Sequence, residues 1–230
     1  MMNNVSLIIP IYNEEQNILQ LYNEIKESEA YNYLKEIIYV NDKSTDSSEK
    51  IIKKLSLKDK NIIIINNNKN LGQSKSIHIG IKNSKSEIVA TIDGDGQNDP
   101  KDLIKLILKY IESDYKLIAG IRIKRKDNLI KKISSLIANK IRKHILKDDC
   151  DDTGCSLKIF DKNIFLSFEF FNGLHRFLPA LFKAFGHRCY FINVSHRARK
   201  YGNSNYGTFD RLFIGISHII RVKKLINKLK

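Results

Sequence analysis

Five short apolar runs, mostly β-branched, punctuate the first half of the chain, and most are separated by stretches with helical spacing. The runs are Val5–Ile9, Ile37–Val40, Ile62–Ile65, Ile88–Ile92 and Leu117–Ile121. Runs this continuous suit parallel strands buried on both faces. Between them, Glu15–Ser28, Thr45–Leu57, Ser74–Asn83 and Pro100–Glu112 carry apolar residues at a 3.6-residue period. The last has a clear start, with Asp99 as N-cap and Pro100 at the first helical position. This order predicts an α/β fold: a Rossmann-like, open, mostly parallel sheet with flanking helices. Ligands in such sheets bind beyond the carboxyl ends of the strands. The polar clusters fall there: Tyr12-Asn13-Glu14 after the first strand, Asn41-Asp42 after the second, and Asp93-Gly94-Asp95 after the fourth.

After residue 121 the pattern changes. Asn128–Leu146 reads as a basic amphipathic helix, Leu157–Phe160 and Tyr190–Val194 as strands, and Leu174–Phe185 as a helix. No Pro- or Gly-rich linker separates the halves, so residues 1–207 are expected to form one domain. Its halves are 1–121 and 122–207. Residues 208–230 form a C-terminal amphipathic helix, Phe209–Leu229, with Leu212, Phe213, Ile216, Ile219 and Ile220 clustered and basic residues towards its end. Such a helix either packs on the core or lies in a membrane surface.

Charge divides the chain. Residues 1–115 hold 15 Lys+Arg and 17 Asp+Glu, whereas residues 116–230 hold 25 and 8. The whole excess of +15 therefore comes from the second half. It is either a solvated surface or a surface for an anionic partner: phosphate groups, an anionic membrane or nucleic acid. Helix-turn-helix, zinc-finger and RNP-like segments are missing, so no nucleic-acid partner is expected. Three cysteines, Cys150, Cys155 and Cys189, are too few for a disulfide scaffold and suit a reducing compartment. No apolar run is long enough to span a bilayer, and the N-terminus carries no secretory pattern.

Asp93-Gly94-Asp95 is the most informative triplet. Two carboxylates two residues apart after a buried strand make a hard oxygen site for Mg²⁺ or Mn²⁺, and Gln97 adds another oxygen. A D-x-D triplet is also a common turn. Asp42 suits hydrogen bonds to a base or ribose, while Ser44 or Thr45 can cap the next helix. Asn70-Leu71-Gly72 opens a helix that carries Lys75, a helix end suited to phosphate. The dinucleotide and P-loop glycine fingerprints are both missing.

Four motifs together resemble the family 2 glycosyltransferases of GT-A fold: Pro10-x-Tyr12-Asn13-Glu14, Asn41-Asp42-x-Ser44-Thr45-Asp46, Asn70-x-Gly72 and Asp93-Gly94-Asp95-Gly96-Gln97. The likeness is strongest to polyprenyl-phosphate glycosyltransferases, including dolichol-phosphate mannosyltransferase and bacterial relatives. It continues through Gly120-Ile121-Arg122, Asp152-Thr153-Gly154-Cys155, His175-Arg176-Phe177-Leu178-Pro179 and Arg199-x-x-Gly202-x-Ser204-Asn205-Tyr206. Asn41 and Lys43 depart from the D-D-G-S pattern, and Asn205 replaces a lysine.

The resemblance implies transfer of a sugar, with inversion, from a nucleotide-diphosphate sugar to a polyprenyl phosphate on the cytoplasmic face of a membrane, by a peripheral enzyme. Pro10, Tyr12, Glu14, Val40, Asp42, Asp93, Gly94, Gln97 and Arg122 would line the nucleotide-sugar site. Asp95 and Gln97 would hold Mg²⁺ or Mn²⁺. His175, Arg176, Arg199 and Ser204 would bind phosphate or acceptor. Asp95, Asp152 and Arg176 would act in catalysis, Asp152 as the base if the acceptor were a saccharide or glycolipid hydroxyl. His175 has the alternative of a structural histidine. Arg125, Lys131, Lys132 and Arg142 are candidates for the membrane-facing surface. A catalytically silent lipid-binding scaffold is the reading from another class. The sugar, the choice of UDP or GDP and the oligomeric state stay open.

Overall fold

The computed structural model describes residues 4–123, 139–201 and 208–228. Arg125, Lys131, Lys132 and Ser204 lie outside them, as do the first part of the Asn128–Leu146 helix and the side chains of Leu212, Phe213 and Ile216.

Seven strands form one sheet: β1 (Val5–Ile11), β2 (Leu34–Asn41), β3 (Ile62–Asn66), β4 (Ile88–Thr91), β5 (Leu117–Arg122), β6 (Lys158–Asp161) and β7 (Cys189–Val194). Their order is β3-β2-β1-β4-β6-β5-β7. β1, β2, β3 and β4 run parallel, as do β5 and β7, whereas β6 runs antiparallel between β4 and β5. The reversal of β6 decides where the site sits. Its amino end, rather than its carboxyl end, meets the carboxyl ends of β1, β2 and β4. The 152–157 segment that enters β6 therefore joins the loops that leave the parallel strands.

Helices α1 (Glu15–Glu27), α2 (Ser48–Lys58), α3 (Gln73–Asn83) and α4 (Leu103–Ile111) follow the first four strands. Asp99 caps a short 3₁₀ turn ahead of α4, accepting from the Lys101 amide at 3.0 Å. Residues 139–146 are helical. Then come α5 (Lys162–Ser167), α6 (Leu178–Ala184) and α7 (Thr208–Asn227).

The sheet divides two apolar cores because side chains alternate along each strand. Leu7, Ile9 and Ile11 of β1 point to one face with Ile18, Leu21 and Ile25 of α1, Ile52 of α2 and Leu106 and Ile107 of α4. Ile8 points to the other, with Ile77 and Ile81 of α3, Phe160, Phe165 and Phe182. Each fully buried aliphatic side chain there contributes about 1.5–3 kcal/mol. The C-terminal helix packs on this second core: Ile219, Val222 and Ile226 are buried, and Ile220 faces outward. Arg142 is also inside. It is 3% exposed and paired with Asp148 at 2.8 Å, so it is not part of a membrane-facing surface.

Candidate active site

Three loops interlock at the carboxyl edge. The Asn13 amide donates to Ser44 Oγ at 3.0 Å, and the Thr45 amide donates to Asn13 Oδ1 at 2.8 Å. The Glu14 amide donates to Ser48 Oγ at 3.0 Å and the Glu15 amide to Asp46 Oδ2 at 3.1 Å. Ser44 and Thr45 thus tie the β2 loop to the β1 loop. They do not cap α2, whose first amide donates to Asp46 Oδ1 at 2.9 Å. Holding this geometry puts Asn13 and Lys43 in the left-handed region, with φ of 56° and 61°.

Asp42 builds the next loop. It is 3% exposed, and its two oxygens accept from Asn67 Nδ2 at 2.7 Å and from the amides of Leu71 and Gly72 at 2.8 and 2.7 Å. Its carboxylate therefore positions the start of α3. Gly72 has φ of 83°, which explains a glycine there. Val40, by contrast, is sealed in the second core, so its side chain does not line the site. Lys75 lies over the Phe170 ring at 4.4 Å, away from a simple helix-end phosphate role.

Asp93 and Asp95 follow β4. Asp93 Oδ1 accepts from Gln73 Nε2 at 2.6 Å, and the Asp93 amide donates to Ser156 Oγ at 3.2 Å. Burial, then the charge of Asp95, pushes the Asp93 carboxyl up to about 6. Gly94 sits so close to β1 that an added Cβ would meet Ile11 Cδ1 at 2.3 Å and the Pro10 carbonyl at 3.2 Å. The Gln97 amide donates to Asp95 Oδ1 at 3.1 Å. Gln97 Nε2 reaches the Arg197 carbonyl at 3.3 Å, which leaves its Oε1 for other partners.

The 195–201 segment crosses this loop. Arg197 donates its amide to the Gln97 carbonyl at 2.8 Å, and its guanidinium bridges Glu24 at 2.6 Å and Asp99 at 2.7 Å. Arg199 pairs with Glu14, joining the last motif to the first. Burial raises the Glu14 carboxyl despite that cation.

Arg122 and Asp152 form a fork. Arg122 Nε and Nη2 donate to Asp152 Oδ2 and Oδ1 at 2.6 and 2.8 Å. Burial opposes the charge on Arg122, but the hydrogen bonds and charge of Asp152 prevail and raise its pKa. Both oxygens of Asp152 are held by a cation, which suits orienting Arg122 better than accepting a proton.

His175 is half-buried, and its Nδ1 lies 2.8 Å from Ser74 Oγ. Burial, then the charges of Arg176, Lys158 and His218, lowers its pKa well below the ordinary value. Arg176 beside it is exposed. Tyr12 and Pro10 are half-buried at the mouth.

The sequence pattern passed over several residues of this site. Lys158 is 2% exposed within β6, its Nζ on the carbonyls of Thr153 and Cys155, and burial lowers its pKa. Its cation opposes the charge of Asp93. Gln73, Ser74, Ser156 and Arg197 were equally silent. A lysine between apolar strand residues, in Leu157-Lys158-Ile159-Phe160, was the one available signal.

A mostly parallel sheet with one reversed strand, and a carboxylate pair at its carboxyl edge, defines the GT-A class. The chain is similar in fold to glucosyl-3-phosphoglycerate synthase from Mycobacterium tuberculosis, solved with Mn²⁺, UDP and glucosyl-3-phosphoglycerate. The TM-score is 0.69 at 15% identity, covering 96% of this chain and 78% of that one. A mannosyltransferase from Pyrobaculum calidifontis, solved with GDP-Man and Mn²⁺, gives 0.69 at 16%, covering 96% and 65%. The chain belongs to glycosyl transferase family 2, whose model matches residues 6–167.

Curated relatives include a dodecaprenyl-phosphate galacturonate synthase from Rhizobium johnstonii, 34% identical over 88% of this chain. An undecaprenyl-phosphate 4-deoxy-4-formamido-L-arabinose transferase from Proteus mirabilis is 31% identical over 89%. The chain spans 62% and 63% of the length of these two relatives.

Proposed function

We propose that the protein transfers a sugar from a nucleotide-diphosphate sugar to a polyprenyl phosphate, with inversion. The observation that carries this reading is the Asp93–Asp95 pair at the carboxyl end of β4, held by Gln73 and Ser156 beside the Glu14 and Asp42 loops. The names of the curated relatives supply the acceptor class.

The donor set fits a divalent cation, Mg²⁺ or Mn²⁺. Burial, then the charge of Asp95, raises the Asp93 carboxyl, so a cation at the pair is favoured, and the Gln97 amide oxygen is a further hard ligand. Among the described residues no group of three or more His, Cys, Asp or Glu could hold a metal by itself. Mg²⁺ is commonly held by one or two carboxylates together with substrate phosphates. Asp95 and Gln97 would hold it. When bound it neutralises charge on the departing diphosphate.

The protein's own groups do the rest. Tyr12, Pro10 and Asp42 frame the nucleoside. Arg122, aligned by Asp152, and Arg199, aligned by Glu14, offer guanidinium donors to phosphate oxygens. A phosphate monoester is largely ionised at neutral pH, its second pKa being about 6, so its oxygen attacks the anomeric carbon without a general base. The engagement of Asp152 by Arg122 is consistent with that economy.

The acceptor brings the protein to a membrane. No helix among the described residues is long and apolar enough to cross one. The basic second half, including Arg221 and Lys224 on the outer face of α7, suits peripheral attraction to anionic lipid on the cytoplasmic leaflet.

The test is incubation with undecaprenyl phosphate, Mg²⁺ or Mn²⁺ and a panel of UDP- and GDP-sugars, read by mass spectrometry of extracted lipid. A lipid gaining one glycosyl mass, lost in Asp95→Ala, is expected. Nucleotide release without a lipid product would overturn the acceptor.

A further inference from the structure

The first turn of α3 touches both halves of the site. Gln73 holds Asp93, and the next residue, Ser74, holds the segment that carries His175 and Arg176. The Gly173 amide donates to Ser74 Oγ at 2.7 Å, and the same oxygen lies 2.8 Å from His175 Nδ1. An amide N–H cannot accept. Among the described residues Ser74 Oγ has no other hydrogen-bond partner, so the hydroxyl proton has one acceptor, the Nδ1 lone pair. This arrangement favours donation from Ser74 to Nδ1, which leaves the ring proton on Nε2. No protein partner is found for Nε2 among the described residues, and it is not one of the sealed, unpaired polar atoms. Three groups oppose a second proton: Arg176 on the same segment, Lys158 of β6 and His218 of α7. His218 also packs on this segment, its ring 6.2 Å from that of Phe177 and within 2.5 Å of where a Cβ on Gly173 would lie.

We propose that Ser74 is a positioning residue that fixes His175 as the Nε2–H tautomer, so that the neutral ring donates a hydrogen bond to a substrate phosphate oxygen. This rests on the phosphate-acceptor reading above, and it assigns His175 as a hydrogen-bond donor, neither acid nor base. The phosphate oxygen belongs either to the lipid phosphate or to the donor diphosphate. Gln73 and Ser74, being consecutive, keep that donor in register with Asp93.

The tautomer is read directly by long-range ¹H–¹⁵N correlation on histidine-labelled protein between pH 6 and 8, with the His175 signals assigned by loss in His175→Gln. Wild type should show Nε2 protonated and Nδ1 unprotonated throughout. A Nδ1–H tautomer, or an imidazolium at pH 7, would overturn the proposal whether or not the protein makes lipid product. Absence of lipid product with the Nε2–H tautomer present would instead count against the acceptor reading alone.

Kinetics supply the second arm. Ser74→Ala should lower kcat/KM about tenfold, the value of one net hydrogen bond, and Ser74→Thr, which keeps the hydroxyl, should recover most of it. A rise in KM for the lipid places the contact on the acceptor phosphate, and a rise for the nucleotide sugar places it on the diphosphate. Unchanged kcat/KM for both substrates, in a Ser74→Ala protein with a wild-type spectrum elsewhere, would overturn the proposal.

Discussion

Arg122 and Asp152 lie 30 residues apart and meet through two parallel hydrogen bonds of 2.6 and 2.8 Å. Their side chains are 16% and 7% exposed, so removing one charge strands the other away from water. Asp152→Asn should cost about 3 kcal/mol in urea unfolding. Replacing both, as Arg122→Met with Asp152→Leu, should recover most of that stability while kcat/KM stays low. A single variant as stable as wild type would show that the pair does not support the fold.

Gly94 presses the carboxylate loop onto β1. An alanine Cβ there meets the tip of Ile11 at 2.3 Å and the Pro10 carbonyl at 3.2 Å. Gly94→Ala should cost about 1–3 kcal/mol through overpacking. Ile11→Val removes the Cδ1 atom and, alone, should cost about 0.5–1.5 kcal/mol. In the double variant the two costs should fall short of additive by about 1 kcal/mol. Strict additivity in a thermal or urea series would place the strain at the Pro10 carbonyl instead.

The strands were legible because each is a short run dominated by apolar, mostly β-branched residues, and each of the seven expected runs overlaps an observed strand. The motifs that end those strands also converge on one edge, as the parallel order requires. Direction was not legible for β6, since Leu157–Phe160 carries no mark of which way it runs. That one reversal brings Asp152, Ser156 and Lys158 to the site. Six-residue α5 is too short to display a helical period. Arg142 looked like surface charge because its partner, Asp148, and the carbonyl of Cys150 enclose it only in three dimensions. Ser44 and Thr45 have the chemistry of caps, and competition from Asn13 across the site redirected them.

Lys43 occupies a position that the D-D-G-S pattern gives to glycine, and its φ of 61° explains why. An L side chain in the left-handed region costs about 1–2 kcal/mol. Glycine removes that cost but frees the unfolded chain, offsetting roughly 0.5–1 kcal/mol. Lys43→Gly should therefore stabilise by roughly 0.5–1 kcal/mol, seen as a raised urea midpoint at unchanged m-value. A lower midpoint would mean that the lysine side chain makes a stabilising contact.

Asp93 gives the site a pH signature. Its carboxyl ionises near 3.8 in the unfolded chain and near 6 in the folded one, chiefly because of burial and secondarily because of Asp95. Between those values the folded protein binds more protons than the unfolded one. The stability linked to this group is therefore complete below about 3.8 and is lost as pH rises through about 6. Asp93→Asn carries no such charge. In buffer with chelator, the variant should gain stability relative to wild type as pH rises from 4 to 6, with the gain levelling off above 6. Added Mn²⁺ compensates the ionised pair, so it should stabilise wild type more at pH 7 than at pH 5, and the variant much less at either. A wild-type-minus-variant difference that stays flat from pH 4 to 7 would mean that Asp93 is ionised throughout, with Gln73 and Lys158 already balancing its charge.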